Sequence, residues 1–359
     1  MYLSFLSTAA TVWGKAWPIL FAILFFGIII MVHELGHFSF AKLFKVRVNK
    51  FALGMGPALL KKTKGETTYS LRLFPIGGYC AMEGEDEDSE DDRSFSRKPV
   101  WQRFIIVAAG AIINLLLGMV IIAVMLGQES LIGTNTIKSF TENSAAAQAG
   151  LMEGDKIISI NGKRVYSDFD ISFLMMRDKD GVMDFGLKRS GEKITISNAA
   201  LQTVEENGRT RIIYDFIIKG VKPSPLPVIK YSFLQTVSMG RMVWISLFDL
   251  VTGQFGFADI SGPIGVVGFI AQAAEQTKRT DLTPILSLMA LISINIGIFN
   301  LLPIPALDGG RLFFMLIEMI RRKPVPKKYE SWIHAAGLIL LLAFMAAISL
   351  KDILFMFRG

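Results

Sequence analysis

Four stretches of the chain are long and apolar enough to cross a bilayer, which takes about 20 residues. They are Ile19–Phe44, Phe104–Leu126, Ile285 to about Leu302 with a continuation toward Ile320, and Ile333–Phe357. Lys15 is the only early basic residue and no small-residue cleavage site follows, so the first stretch reads as a retained span. Residues 231–256 are borderline. Ser232, Gln235, Ser238 and Arg241 interrupt them, and Phe233, Val237, Val243 and Leu247 recur at helical spacing, which predicts an amphipathic helix lying in the interface. Thr67–Phe74 instead alternates polar and apolar positions, the pattern of a strand, and glycine-proline segments at 54–57 and 75–78 bracket it as a hairpin. From Ile132 to Lys219 the composition is that of an ordinary soluble domain.

These patterns predict a polytopic α-helical membrane protein with four transmembrane helices, a membrane-associated β-hairpin after the first helix and one inserted α+β domain. The predicted divisions are 1–126 (two spans and the β segment), 127–220 (the inserted domain), 221–283 (the interfacial helix and Ser261–Gly265) and 284–359 (the last two spans). The 52% hydrophobic content and mean hydropathy of +0.45 agree with a membrane protein. The net charge of +7 does not point to nucleic acid, because Lys and Arg gather in two loops flanking the spans. One holds Lys42, Lys45, Arg47, Lys50, Lys61, Lys62 and Lys64, the other Arg321–Lys328. Placing both in the cytoplasm puts both termini and the 127–283 region outside. Eight of the 31 acids lie within Glu83–Asp92, which reads as a solvated cytoplasmic linker. The single cysteine, Cys80, excludes an internal disulfide framework.

His33-Glu34-Leu35-Gly36-His37 matches H-E-x-x-H. At i and i+4 both imidazoles lie on one helix face and can share one zinc, with Glu34 beside them as general base. Ionisable groups deep in a span each cost a few kcal/mol and mark function. Two histidines leave zinc short of a protein ligand. Asp308 is a candidate, in Asn300-Leu-Leu-Pro-Ile-Pro-Ala-Leu-Asp-Gly-Gly310, where two prolines end an apolar helix and expose backbone that must line protein or a wet cavity. His334, which opens the fourth span on the same side, is the other. As an edge strand near the zinc, 67–74 would hold a substrate extended by strand addition.

HELGH in the first span together with NLLPIPALDGG in the third resembles the site-2 protease family of intramembrane zinc metalloproteases. Phe51–Pro57, Phe74–Tyr79, the segment ending at Asn114, and Ser261–Gly265 resemble its bacterial regulator of sigma-E protease subgroup. The resemblance implies Zn2+ held by His33, His37 and Asp308, with Glu34 as base. It implies Asn300, Asn114, Gly54, Gly56, Tyr69 and Leu71 at the substrate. Ser144–Gly162 resembles the core of a PDZ domain, which binds peptide chain ends. The implied activity is cleavage of transmembrane segments in single-span proteins of the anti-sigma-factor type, and of remnant signal peptides, in a bacterial inner membrane, with the PDZ domain outside and HELGH near the cytoplasmic side. A PDZ-bearing scaffold with a vestigial metal site is the alternative; intact Glu34 argues against it, since a purely structural zinc site needs only ligands. A metal transporter would spread its ligands along a path through the bilayer.

Overall fold

The computed structural model describes residues 2–85, 89–206, 209–253, 262–276 and 282–358. The predicted segment Ser261–Gly265 and the acidic run Glu83–Asp92 each lie partly outside these residues.

The chain divides into two compact units, Met1–Gly118 with Val243–Gly359, and Met119–Met242. The first is built on α1 (Tyr2–Leu43), the strands β1 (Val48–Lys64) and β2 (Thr67–Met82), and α2 (Val100–Gln128), which continues into the second unit. The second unit holds β3 (Ile132–Phe140), α3 (Ala145–Gln148), β4 (Lys156–Ile160), β5 (Lys163–Arg164), α4 (Asp168–Met176), β6 (Val182–Arg189), β7 (Glu192–Ala200), β8 (Thr203–Glu206), β9 (Arg209–Ile212) and β10 (Phe216–Val221). Helix α5 (Pro225–Val251) leads back to the first unit, which ends with α6 (Pro263–Gln276), α7 (Thr283–Leu301), α8 (Asp308–Arg321) and α9 (Lys327–Arg358). Among the described residues four segments are long and apolar enough to cross a membrane: Leu20–Leu43, Val100–Gln128, Thr283–Leu301 and Lys328–Leu354. Helix α5 is not among them.

Inside a bilayer helices gain no hydrophobic free energy from meeting, so close approach depends on small residues. A Cβ on Gly36 of α1 would lie 2.6 Å from the carbonyl oxygen of Ala109 on α2. A Cβ on Gly297 of α7 would lie 2.9 Å from that of Ala111. These contacts draw α1 and α7 onto α2. Helix α6 packs on α1 through Ile270 against Phe25 and Ile29, and the buried Asp352 carboxylate of α9 accepts from the N–H groups of Gly262 and Gly265 at 2.9 and 3.0 Å and so caps its first turn.

The β segment is more elaborate than one hairpin. Strand β1 folds along β2 so that residues 50–53 have partners on both sides, Gly78–Ala81 and Thr68–Leu71, while Leu60–Lys64 returns to pair with Thr67–Leu71. Thr68–Leu71 is therefore interior. The acidic run is also no free linker. Glu83 accepts from Asn49 and Ser89, Asp91 from Arg47, and Glu85 pairs with Arg311 on α8.

In the second unit the sheet runs β10-β3-β4-β6-β7, with β5 paired to β4. Ile137, Ile157, Ile160, Ile171, Phe185 and Leu187 are among its core side chains. Ser144 caps α3 by accepting from the Ala147 N–H, Gly150 turns with φ +103°, and Asn161-Gly162 both take positive φ, as a tight hairpin turn requires. The unit extends beyond the predicted 127–220 because α5 is tied to it: Ser238 Oγ and Arg241 Nη2 both donate to the buried Asp170 carboxylate, at 2.8 and 2.6 Å. Strand β3 has β10 along one edge and β4 along the other.

Asp155, fully buried, accepts from Arg189 Nε and Nη2 at 2.8 and 2.7 Å and from the Met152 N–H at 2.9 Å. Burial alone would raise its pKa, but the guanidinium and the N–H outweigh that and hold the carboxyl below its usual range. The carboxylate therefore stabilises the unit at neutral pH, and this stabilisation is lost as pH falls through the depressed value. Asp155→Asn in the full chain should speed amide exchange in β4 and β6 by about tenfold or more at neutral pH, as measured by hydrogen–deuterium exchange. The difference from the parent should shrink in acid.

Candidate metal centre

Helix α1 carries His33 and His37 on one face, as the i, i+4 spacing dictates. Each is buried, with 8% of its surface exposed, although the surrounding helix presents apolar residues to lipid. The two Nε2 atoms stand 3.2 Å apart, and each lies 3.1 Å from Asp308 Oδ2. No other group of three potential ligands gathers this way among the described residues.

Asp308 arrives from the opposite end of the chain because α7 stops at Leu301 and the chain turns through Pro303 and Pro305. It is the first residue of α8. The turn needs glycine next: a Cβ on Gly309 would lie 1.8 Å from the Leu302 carbonyl oxygen, and one on Gly310 2.7 Å from that of Ile304. His334, the other candidate third ligand, does not join the triad. Its Nδ1 accepts from the Ala306 N–H at 3.0 Å, so it braces the loop that delivers Asp308.

The donor set fits zinc. Ligand atoms about 2.0–2.1 Å from a tetrahedral ion lie roughly 3.3–3.4 Å from one another, close to the separations here. Three facing acceptors without a shared cation would repel, and Asp308 Oδ2 is buried with no hydrogen-bond partner. The tautomer of His37 is set correctly. Its Nδ1–H donates to the Ile106 carbonyl oxygen at 3.0 Å, leaving the lone pair on Nε2, the atom aimed at the triad.

Glu34 is beside the histidines, and the C-terminal end of β2 reaches it. The Cys80 N–H meets its carboxylate, and a Cβ on Gly78 would lie 3.1 Å from its Cγ. The sheet thus brings Gly78–Cys80 to the metal centre, not Thr68–Leu71. Tyr69 and Leu71, expected on a substrate-holding edge, lie inside the sheet. Tyr69 pairs with both Phe51 and Lys62, Leu71 with both Leu53 and Leu60, so neither offers backbone to an added strand. Tyr69 also packs against the rings of Phe38 and Phe51, at 6.0 and 6.2 Å. Gly54 and Gly56, with φ of +85° and +83°, lie against Phe74 and serve the fold of the sheet. Asn114 is fully buried, with its side-chain amide 3.4 Å from His33 Nδ1. Asn300 is half-buried in the last turn of α7.

One essential residue escaped sequence reading. A Cβ on Gly110 of α2 would lie 2.4 Å from His37 Nε2 and 2.8 Å from His33 Cε1. Only glycine leaves room there for both imidazoles, and a lone glycine within an apolar span gives no signal of it.

Peptidase family M50, the site-2 protease family, matches residues 21–344. The chain belongs to it. A Clostridium perfringens protein named as a candidate zinc metalloprotease is 36% identical over 338 residues, covering 94% of this chain and 98% of its own. A similarly named protein of Clostridium acetobutylicum is 37% identical over 338 residues, covering 94% and 97%. The regulator of sigma-W protease RasP of Bacillus subtilis is 31% identical over 417 aligned residues, covering 92% and 97%. That alignment is longer than this chain, so the Bacillus protein has segments that this one lacks. As an M50 peptidase with four apolar helices the chain is a multipass membrane metalloprotease.

Gly110→Ala should lower the zinc affinity of the purified full chain by about 10- to 100-fold, as for loss of a ligand-supporting group, read as metal content against a competing chelator. Gly27→Ala, where a Cβ meets nothing within 4 Å, should leave it unchanged.

Proposed function

We propose that the protein is an intramembrane zinc endopeptidase that cuts a peptide bond within or beside the transmembrane helix of single-span membrane proteins of the anti-sigma-factor type, with remnant signal peptides as a further class. The observation that carries this reading is the convergence of His33, His37 and Asp308 beside Glu34 within an otherwise apolar helix. The name of the Bacillus relative supports the substrate class.

In this reading His33 Nε2, His37 Nε2 and Asp308 Oδ2 would hold the zinc, which would supply a Lewis acid able to lower the pKa of a water and polarise a carbonyl. Glu34 would act as the proton acceptor for the attacking water and return the proton to the leaving amine. The Ile106 carbonyl and the Asn114 amide hold the two imidazoles in orientation. A helical substrate hides its carbonyls in hydrogen bonds, so the scissile segment must unwind, and the Gly77–Met82 run beside Glu34 is the strand that would receive it. Asn300, half a turn before the proline-bearing loop, is a further candidate for holding the substrate.

The second unit is taken to be a PDZ domain outside the membrane, a reading supported by the Ser144–Gly162 pattern and its helix, glycine turn and strand. The basic loops at 42–64 and 321–328 support both termini outside. Strand β3 is flanked on both sides, and the outer strands of the described main sheet, β10 and β7, are candidates to receive a peptide chain end.

Glu34→Gln should keep zinc at the parent level and lower cleavage of a model transmembrane substrate by at least about a thousandfold, because the ligands remain while the proton acceptor is gone. Cleavage at the parent rate would show that Glu34 is not the base.

A further inference from the structure

The unit Met119–Met242 contains a cationic cavity that shares no residue with the metal centre. It measures about 530 Å³, and Lys156 of β4, Arg164 of β5, Lys193 of β7 and Lys230 of α5 line it together with Tyr166 and Tyr231. No Asp or Glu lines it. Among the described residues none of the four cations forms an ion pair, whereas Arg189 and Arg241 of the same unit pair closely with Asp155 and Asp170. Four like charges around one cavity repel unless an anion enters. The walls are fixed. Arg241 donates to Asp170 Oδ1 and to the Arg164 carbonyl oxygen, each at 2.6 Å, and its guanidinium covers the Tyr166 ring at 5.0 Å, which pins α5 to the sheet.

The same stretch of α5 exposes an apolar stripe. Leu226, Ile229, Phe233 and Val237 follow helical spacing and are 76%, 58%, 55% and 40% exposed. Of the α5 residues of the cavity, Lys230 and Leu234 flank that stripe, about 55° and 95° round from its centre, and Tyr231 lies further round, at about 155°. A helix that lays such a stripe into a membrane holds its flank at the level of the headgroups, where Lys and Tyr are at home.

We propose that this cavity binds the phosphate of an anionic phospholipid headgroup, with the α5 stripe seated among the acyl chains of the same leaflet. The charge selects the headgroup and the stripe selects a lipid over a soluble anion. Each basic residue at an anionic surface strengthens binding about fivefold, so three together are worth on the order of a hundredfold.

The test uses the detergent-solubilised full chain, with retained lipid counted by native mass spectrometry after exposure to phosphatidylglycerol or phosphatidylcholine. The parent should retain phosphatidylglycerol in preference to phosphatidylcholine. Lys156→Gln/Lys193→Gln/Lys230→Gln should lose that preference by on the order of a hundredfold, with unchanged melting in lipid-free detergent because all three side chains are exposed. Lys230→Arg should keep it. Equal retention of both lipids, or retention of phosphatidylglycerol by the triple variant, would overturn the proposal. Displacement of the lipid by an equal concentration of inorganic phosphate, or of a glutamate-rich peptide, would also overturn it by assigning the cavity to a soluble anion. Cleavage is not measured, so the outcome is independent of the protease reading.

Discussion

The metal centre depends on how closely α1 and α2 approach. Imidazole and carboxylate groups facing lipid would each cost several kcal/mol, whereas turned toward one another and backed by a neighbouring helix they escape that cost. Gly36 and Gly110 make this possible from the two sides of one contact. The first lets the α1 backbone touch the carbonyl of Ala109, and the second leaves the space that the two imidazoles fill. The same approach delivers the Ile106 carbonyl to His37 and the Asn114 amide to His33. Ligand orientation is thus a by-product of helix packing, set before any metal arrives.

The α7–α8 break solves the complementary problem. A carboxylate must reach two histidines on a distant helix, and an uninterrupted span would carry Asp308 past them. Pro303 and Pro305 stop the helix, Gly309 and Gly310 allow the chain to fold tightly enough to restart, and His334 accepts the otherwise free N–H of Ala306. Backbone freed within a membrane unit must be satisfied by protein, and here a side chain from α9 does it.

The spans, the H-E-x-x-H face and the helix break at the prolines were legible in the sequence because each is a local pattern: an apolar run, a spacing, a pair of prolines. What was not legible is long-range. Nothing in Thr67–Phe74 reveals that its first residues end up between two other strand segments, since alternation reports one solvated face and not how many neighbours a strand has. The choice between Asp308 and His334 likewise turned on a loop conformation, and the burial of Asn114 on which face of α2 meets α1. Gly110 is silent for the same reason, because its importance lies wholly in what it does not occupy.

The acidic run shows how far composition can mislead. Eight acids in ten residues look like solvated linker, yet the described members take up specific partners. Glu83 closes the base of the sheet through Asn49, Asp91 holds Arg47 at the exit from α1, and Glu85 reaches Arg311 in the first turn of α8. Arg311 is three residues beyond Asp308, on the same turn. Arg103 of α2 ties to Glu318 further along α8 at 2.5 Å. The helix bearing the third ligand is therefore anchored to both the β sheet and α2 by ion pairs whose side chains are largely shielded from water, where such pairs are screened least. Displacement of the sheet at Gly78–Cys80 would be felt at Glu34 through direct contact and at Asp308 through Glu85 and Arg311. Glu34 and Asp308 thus share one mechanical support, the sheet.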